Sequence, residues 1–201
     1  ALDRLANEGL LEIVPTGGFV VRAFTLTDVY DAIETRGVLE GAAARLAAER
    51  LQDRQELAGL RALEQEMAKV MPLTPEVVPT IDTFARYLDL NESFHSTVID
   101  LAKSPMLRKT LDRLQSLPFV SPSATVFARL KLPTAKELLT IACEHHKTII
   151  EAIEKRQGSR AEGLAREHAC LPLRNLEAVL ADKEVCSYVP GAALVRLPGV
   201  A

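Results

Sequence analysis

The sequence contains no tryptophan, and its three tyrosines and six phenylalanines bring the aromatic share to only 4% of 201 residues. A core must therefore come from Leu, Ala, Val and Ile, a mix that at helical spacing favours an all-α domain. Cysteine is scarce too: Cys143, Cys170 and Cys186 are odd in number and include no C-x-x-C pair. That excludes a disulfide framework and predicts reduced thiols in a cytoplasmic protein. No apolar run reaches the roughly 18 residues of a membrane span, and no secretory leader opens the chain, so a soluble protein without a membrane partner is expected. Excess positive charge is missing as well. Lys and Arg total 24 against 27 Asp and Glu, a net charge of −3, which excludes binding of polyanions by bulk electrostatics. Internal repeats and low-complexity tracts are absent, and the length suits one well-buried domain plus a small appendage.

The chain opens on a short helical stretch with Leu2, Leu5 and Leu10 on one face and Gly9 as a stop signal. Glu12-Ile13-Val14 and Gly18-Phe19-Val20-Val21-Arg22 read as two strands joined by the turn Pro15-Thr16-Gly17-Gly18. A helix and a hairpin cannot bury a core alone, so residues 1–24 read as the end of a domain that begins earlier. From Thr25 the periodicity is helical. Thr25-x-x-Asp28 has the form of an N-cap, followed by an apolar stripe of Val29, Ile33, Val38, Ala42, Leu46 and Ala47. A second helix is expected over about 54–71 and a third over about 79–103, with Met71-Pro72-Leu73-Thr74-Pro75 as the break. Ser104-Pro105 starts a fourth. Residues 117–132 hold Pro118 and Pro122 and read as a loop or broken helix. Thr134-x-x-Glu137 and Ser159-x-x-Glu162 resemble capping boxes of two last long helices. The helical domain is expected over 25–183. The remaining 184–201 form an apolar tail, either extended and packed or disordered.

Histidine carries the strongest chemical signal. His146 and His168 stand 22 positions apart across the break Arg156-Gln157-Gly158-Ser159. Folded there into an antiparallel pair, both lie roughly 16 Å along their helices, side by side. His95 belongs to an earlier helix, with Asn91 four residues before it on the same face. Three imidazoles and one oxygen make a first-row metal site. His145 is about 100° around the helix from His146, so only one of the two can face the same point. Cys143 is read as a small buried hydrophobe in preference to a thiolate ligand. Arg36 lies on an otherwise apolar inward face, either in an ion pair with Glu34, Glu40 or another helix, or reaching a ligand carboxylate.

Several segments together resemble one family. Ala1-Leu2-x-x-Leu5-x-x-x-Gly9-Leu10-Leu11 and Pro15-x-Gly17-Gly18-x-Val20-Val21 are similar to the end of the winged helix-turn-helix of GntR-type bacterial transcription regulators. Glu34-x-Arg36-x-x-Leu39-Glu40-x-x-Ala43-Ala44, Asn91-x-x-Phe94-His95, His146-x-x-Ile149 and Ala165-x-x-His168 resemble the effector domain of that group's fatty-acid-regulator (FCD) subfamily. The resemblance implies an all-α, antiparallel bundle of six to seven helices enclosing a ligand cavity, preceded by a partial winged helix-turn-helix. It implies a divalent metal, Zn or Ni, on Asn91, His95, His146 and His168, with Asn91 standing where Asp is usual. A neutral amide binds such ions less well than a carboxylate, so affinity falls or metal selection changes. It also implies a small organic carboxylate effector contacting Arg36, a homodimer, and operator DNA bound through the complete N-terminal domain, with Arg4, Thr16, Gly17 and Gly18 nearest the DNA. Repression relieved by effector is the expected sign. Arg86 and Tyr87 are read as one solvated and one core residue in preference to cavity wall, and Ser121, Ser123 and Thr125 as either hydroxyl donors to a ligand or a polar loop surface. The rival is a three-histidine hydrolase or lyase with Glu144 or Glu167 as general base, but helical phase turns both about 100° from the metal. No enzymatic activity is expected.

Overall fold

The computed structural model describes residues 1–71, 80–117, 119–124 and 135–196. Helix α1 (Leu2–Asn7) leads into the antiparallel hairpin β1 (Leu11–Ile13) and β2 (Phe19–Val21), with Glu12 opposite Val20. Gly17 and Gly18 turn the chain at φ 87° and 101°, conformations that side-chain-bearing residues rarely adopt. Strand β3 (Phe24–Thr25) then runs straight into α2 (Leu26–Arg50). The Thr25 hydroxyl accepts from the Asp28 amide at 3.1 Å, and the Asp28 carboxylate accepts from the Thr25 amide at 2.7 Å. This reciprocal box fixes where the longest helix starts.

The bundle comprises α2, α3 (Ala58–Val70), α4 (Ile81–Leu101), α5 (Pro105–Gln115), α6 (Ala135–Glu154) and α7 (Gly158–Cys170), followed by the short α8 (Leu176–Ala181) and α9 (Lys183–Cys186). A 3-10 turn over Arg54–Leu57, boxed by Asp53 and Glu56, opens α3. Thr80 caps α4 and Pro105 sits in the first turn of α5. Thr134, the expected cap of α6, lies outside the described residues.

Two sequence expectations need correction. Val38 is 47% exposed, and the buried stripe of α2 runs Val29, Ile33, Gly37, Glu40, Ala44, Ala47 and Ala48. A step of five residues from Ile33 to Val38 turns about 140° off the inward face. Ser159 is not the cap of α7: the helix starts at Gly158 after Gln157 and has no side-chain cap. Arg156 reverses the chain at φ 55°, and Gly158 then packs against Arg45 and Glu49 of α2, so the helix resumes one residue early. Of the two alternatives expected for the tail, packing is the one found over its described residues 184–196. β4 (Val195–Arg196) pairs in parallel with β3, and Val185 and Val189 are buried beside Phe24.

Two cores matter for the site. One is built from Ala44, Leu57, Leu60, Phe84, Phe94, Ile149, Ile153 and their neighbours. The other gathers Phe24, Val29, Ile33, Phe119, Val120, Leu176 and Val185, with the Phe24 and Phe119 rings edge to face at 4.9 Å. Helix α2 runs through both. Its closest neighbour is α7, because Gly37 and Gly41 present no side chain there. A Cβ on Gly41 would lie 3.0 Å from the Glu162 carbonyl, and one on Gly37 would lie 3.2 Å from the Cys170 sulfur. Larger residues would push the helices apart and shift His168 relative to α2.

Candidate metal centre

Four helices contribute to one buried cluster. Helix α4 carries Asn91 and His95, α6 carries His146, α7 carries His168, and α2 carries Arg36 and Glu40. All six are buried, an unusual concentration of polar side chains in an otherwise Leu- and Ala-rich interior. The His146 Nε2 lies 3.1 Å from the His168 Nε2, which in turn lies 3.2 Å from the His95 Nε2. The ligating atoms of the three all fall within 4.8 Å of one another. A small cavity of about 10 Å³ touches His95, His168 and Glu40 and is closed by Phe94, Val98, Ile99, Ile149 and Ala165. That is room for roughly one water-sized species.

The chemistry of this cluster suits a cation. His95 Nδ1 sits 2.9 Å from the Glu40 carboxylate, so in the neutral ring that nitrogen carries the proton and Nε2 keeps its lone pair. His168 Nε2 meets both other imidazoles, yet a neutral ring nitrogen has one proton or one lone pair, never both. One of the two short contacts is therefore left without a good hydrogen bond. The other His168 nitrogen, Nδ1, is buried without any partner. A single divalent ion at the common point would take all three Nε2 lone pairs. Nitrogens bound at ~2.0–2.1 Å to one such ion stand roughly 2.9 Å apart at a right angle and roughly 3.4 Å at a tetrahedral one. The two short separations, 3.1 and 3.2 Å, fall between these limits, and the third pair lies within 4.8 Å. The donor set fits a first-row divalent metal.

Electrostatics agree. Burial holds His146 and His168 well below the usual imidazole range, and the neighbouring histidines push in the same direction. Both are neutral near pH 7. Burial by itself would raise the Glu40 carboxyl. Its net shift is nonetheless downward, because His95 and Arg36 attract the carboxylate and His95 and Gln115 hydrogen-bond it.

The structure places the remaining candidates unevenly. Asn91 is one turn before His95, and its amide donates to the Ser123 hydroxyl at 3.2 Å, leaving Oδ1 as its other polar atom. Ser123 is bonded in turn to the Leu88 carbonyl. Arg36 does not stand free in a cavity: Nη1 donates to the Val120 carbonyl at 2.5 Å and Nη2 to the Ala169 carbonyl at 2.7 Å, while Nε lies 3.5 Å from Glu40. Cys143 is half-buried, its thiol pushed up by burial, and it is not among the clustered ligand atoms. His145 is half-buried, its ring centre 5.8 Å from that of His168, and burial lowers its pKa. Glu144 and Glu167 are exposed and pair with Lys147 and Arg174, each at 2.7 to 2.8 Å. Arg86 is exposed and Tyr87 is buried in the core. Ser121 is half-buried, and Thr125 lies outside the described residues. Arg4 is exposed and bound to Glu8 at 2.8 Å; Thr16, Gly17 and Gly18 form the exposed tip of the hairpin. Sequence reasoning missed Glu40 as the partner of His95. Its one signal was a carboxylate in phase with the buried face of α2.

Fold and site together define an all-helical domain built around a three-histidine cluster. The FCD domain matches residues 31–169, which takes in every one of the clustered residues, and the chain belongs to the FCD-domain family. The chain is 34% identical over 113 residues to the Nta operon transcriptional regulator of Aminobacter aminovorans, covering 55% of this chain and 48% of that protein. It thus spans about half the length of that relative. The fold is shared with a solved structure of Lar, described as controlling expression of the Listeria monocytogenes agr system and mediating virulence. The TM-score there is 0.61 at 17% identity, over 88% of this chain and 77% of the other.

Proposed function

We propose that this chain is the sensing part of a cytoplasmic, homodimeric transcription regulator that binds a divalent metal and a small carboxylate effector. The observation that carries the reading is the convergence of three buried Nε2 atoms with an unsatisfied pairing pattern. His95, His146 and His168 would hold Zn²⁺ or Ni²⁺, with the Asn91 oxygen as a fourth ligand. The ion would supply a Lewis-acid anchor for one effector oxygen. Arg36 would bind the rest of the carboxylate by exchanging its hydrogen bond to Val120 for one to the ligand. Val120 belongs to the second core, which also holds Phe24 at the junction with the hairpin. Effector binding would in this way reach the DNA-reading head, provided the effector binds the two states unequally. Arg4, Thr16, Gly17 and Gly18 are read as the DNA-facing part of the wing. A two-fold dimer matches the symmetry of operator half-sites, and repression relieved by effector is the sign we assign.

Thermal unfolding tests this. Metal-loaded and chelator-stripped protein are compared across aromatic acids, sugar acids, hydroxy acids and di- and tricarboxylates. At least one should raise the melting temperature of the loaded form alone, since a ligand at 100 times its Kd adds about 2.7 kcal/mol. A panel that stabilises neither form, or both equally, contradicts the metal-anchored effector.

A further inference from the structure

Among the described residues Glu40 is the sole buried carboxylate, only 4% exposed, and its two oxygens have different duties. Oε2 stands 2.9 Å from His95 Nδ1. Oε1 accepts from the Gln115 amide at 3.3 Å and lies 3.5 Å from Arg36 Nε. The carboxylate is therefore clamped from one side and presses on His95 from the other. Helix α2 enforces this placement, because Gly37 and Gly41 on the same helix set its distance from α7. Arg36, one turn before Glu40, ties α2 to the end of α7 through Ala169, the residue after His168.

We propose that Glu40 is the positioning residue of the metal centre. By accepting the Nδ1 proton it holds His95 in the tautomer whose Nε2 lone pair faces the other two imidazoles. It also makes that imidazole a stronger donor. The other three candidate ligands, His146, His168 and Asn91, are neutral, so this buried negative charge is the one that offsets the ion's own. The inference rests on the metal reading above and names the residue that tunes it.

The test uses Glu40→Gln, with metal affinity measured by competition against a chromophoric chelator and ring tautomers read from long-range nitrogen–proton NMR correlations. Wild type should show His95 protonated at Nδ1 in the metal-free state. In Glu40→Gln the tautomers should mix and metal affinity should fall by about 10- to 100-fold. The stoichiometry should stay at one ion per chain. Glu40→Asp should give an intermediate affinity. A folded Glu40→Gln with affinity within twofold of wild type overturns the proposal and leaves the metal reading standing. Wild type that binds no ion overturns the metal reading itself. Should Glu40→Gln not fold, the wild-type spectrum decides: His95 protonated at Nε2 overturns the proposal without any variant.

Discussion

Replacing Arg36 by methionine should cost this protein a large share of its stability, with metal and effector both absent. The side chain is 2% exposed and reaches three groups that have little access to water. It donates to the carbonyl of Val120, in the second core, and to that of Ala169, in the last turn of α7. It also balances the Glu40 carboxylate. Methionine preserves most of the volume but leaves two buried carbonyls unpaired and one buried charge without its counter-ion. An unsatisfied buried acceptor costs about 1–3 kcal/mol, and breaking a buried ion pair costs about 3–5 kcal/mol. These overlap, so we expect a loss of about 4 kcal/mol out of a total of about 5–15 kcal/mol. Guanidinium denaturation of the stripped protein gives the number, with Arg86→Met, an exposed arginine, as a control expected to stay within about 0.5 kcal/mol. A loss below about 1 kcal/mol for Arg36→Met would refute the reasoning, since the guanidinium would then be solvated and not a strut between α2, α7 and Val120.

The metal-free protein should lose stability in mild acid. His146 and His168 are held below their unfolded value of about 6.5, so the unfolded state binds more protons as pH falls through that value. Their contribution is complete above about pH 7.5, and by pH 5.5 each should have lost about 1.4 kcal/mol; pH-independent urea midpoints over that window would contradict it. Gly41→Ala should destabilise by about 1 kcal/mol, because crowding against the Glu162 carbonyl outweighs the gain in helix propensity. Gly163→Ala, with open space around the added carbon, should instead stabilise by about 0.5–1 kcal/mol in the same melts. Thr25→Ala, which removes the cap of α2, should cost about 1 kcal/mol.

The histidine convergence was legible in the sequence because it depends on one helical break and one spacing. Two residues on the inward sides of facing helices, equally far from a turn, come side by side. The Thr25–Asp28 box was legible for a similar reason, since a cap is a local motif with local partners. Glu40 was harder. Its bond to His95 depends on how α2 and α4 are rotated against each other, which no single-helix pattern records. Arg36 shows the same limit: the candidate partners read from its own helix included Glu40, but Val120 and Ala169 are backbone atoms 84 and 133 positions away. Ser159 misled because its spacing to Glu162 is right for a box while the reversal at Arg156 starts the helix sooner. The C-terminal strand was illegible, since two residues of parallel pairing leave no periodicity to read.

The central claim is that three imidazoles hold one divalent ion, and equilibrium dialysis of stripped protein against Zn²⁺ and Ni²⁺ tests it most directly. One ion per chain in the wild type, and none retained at the same free-metal concentration by folded His146→Ala and His168→Ala, is the predicted result. Stoichiometric binding that survives both substitutions, or none in the wild type, would contradict it.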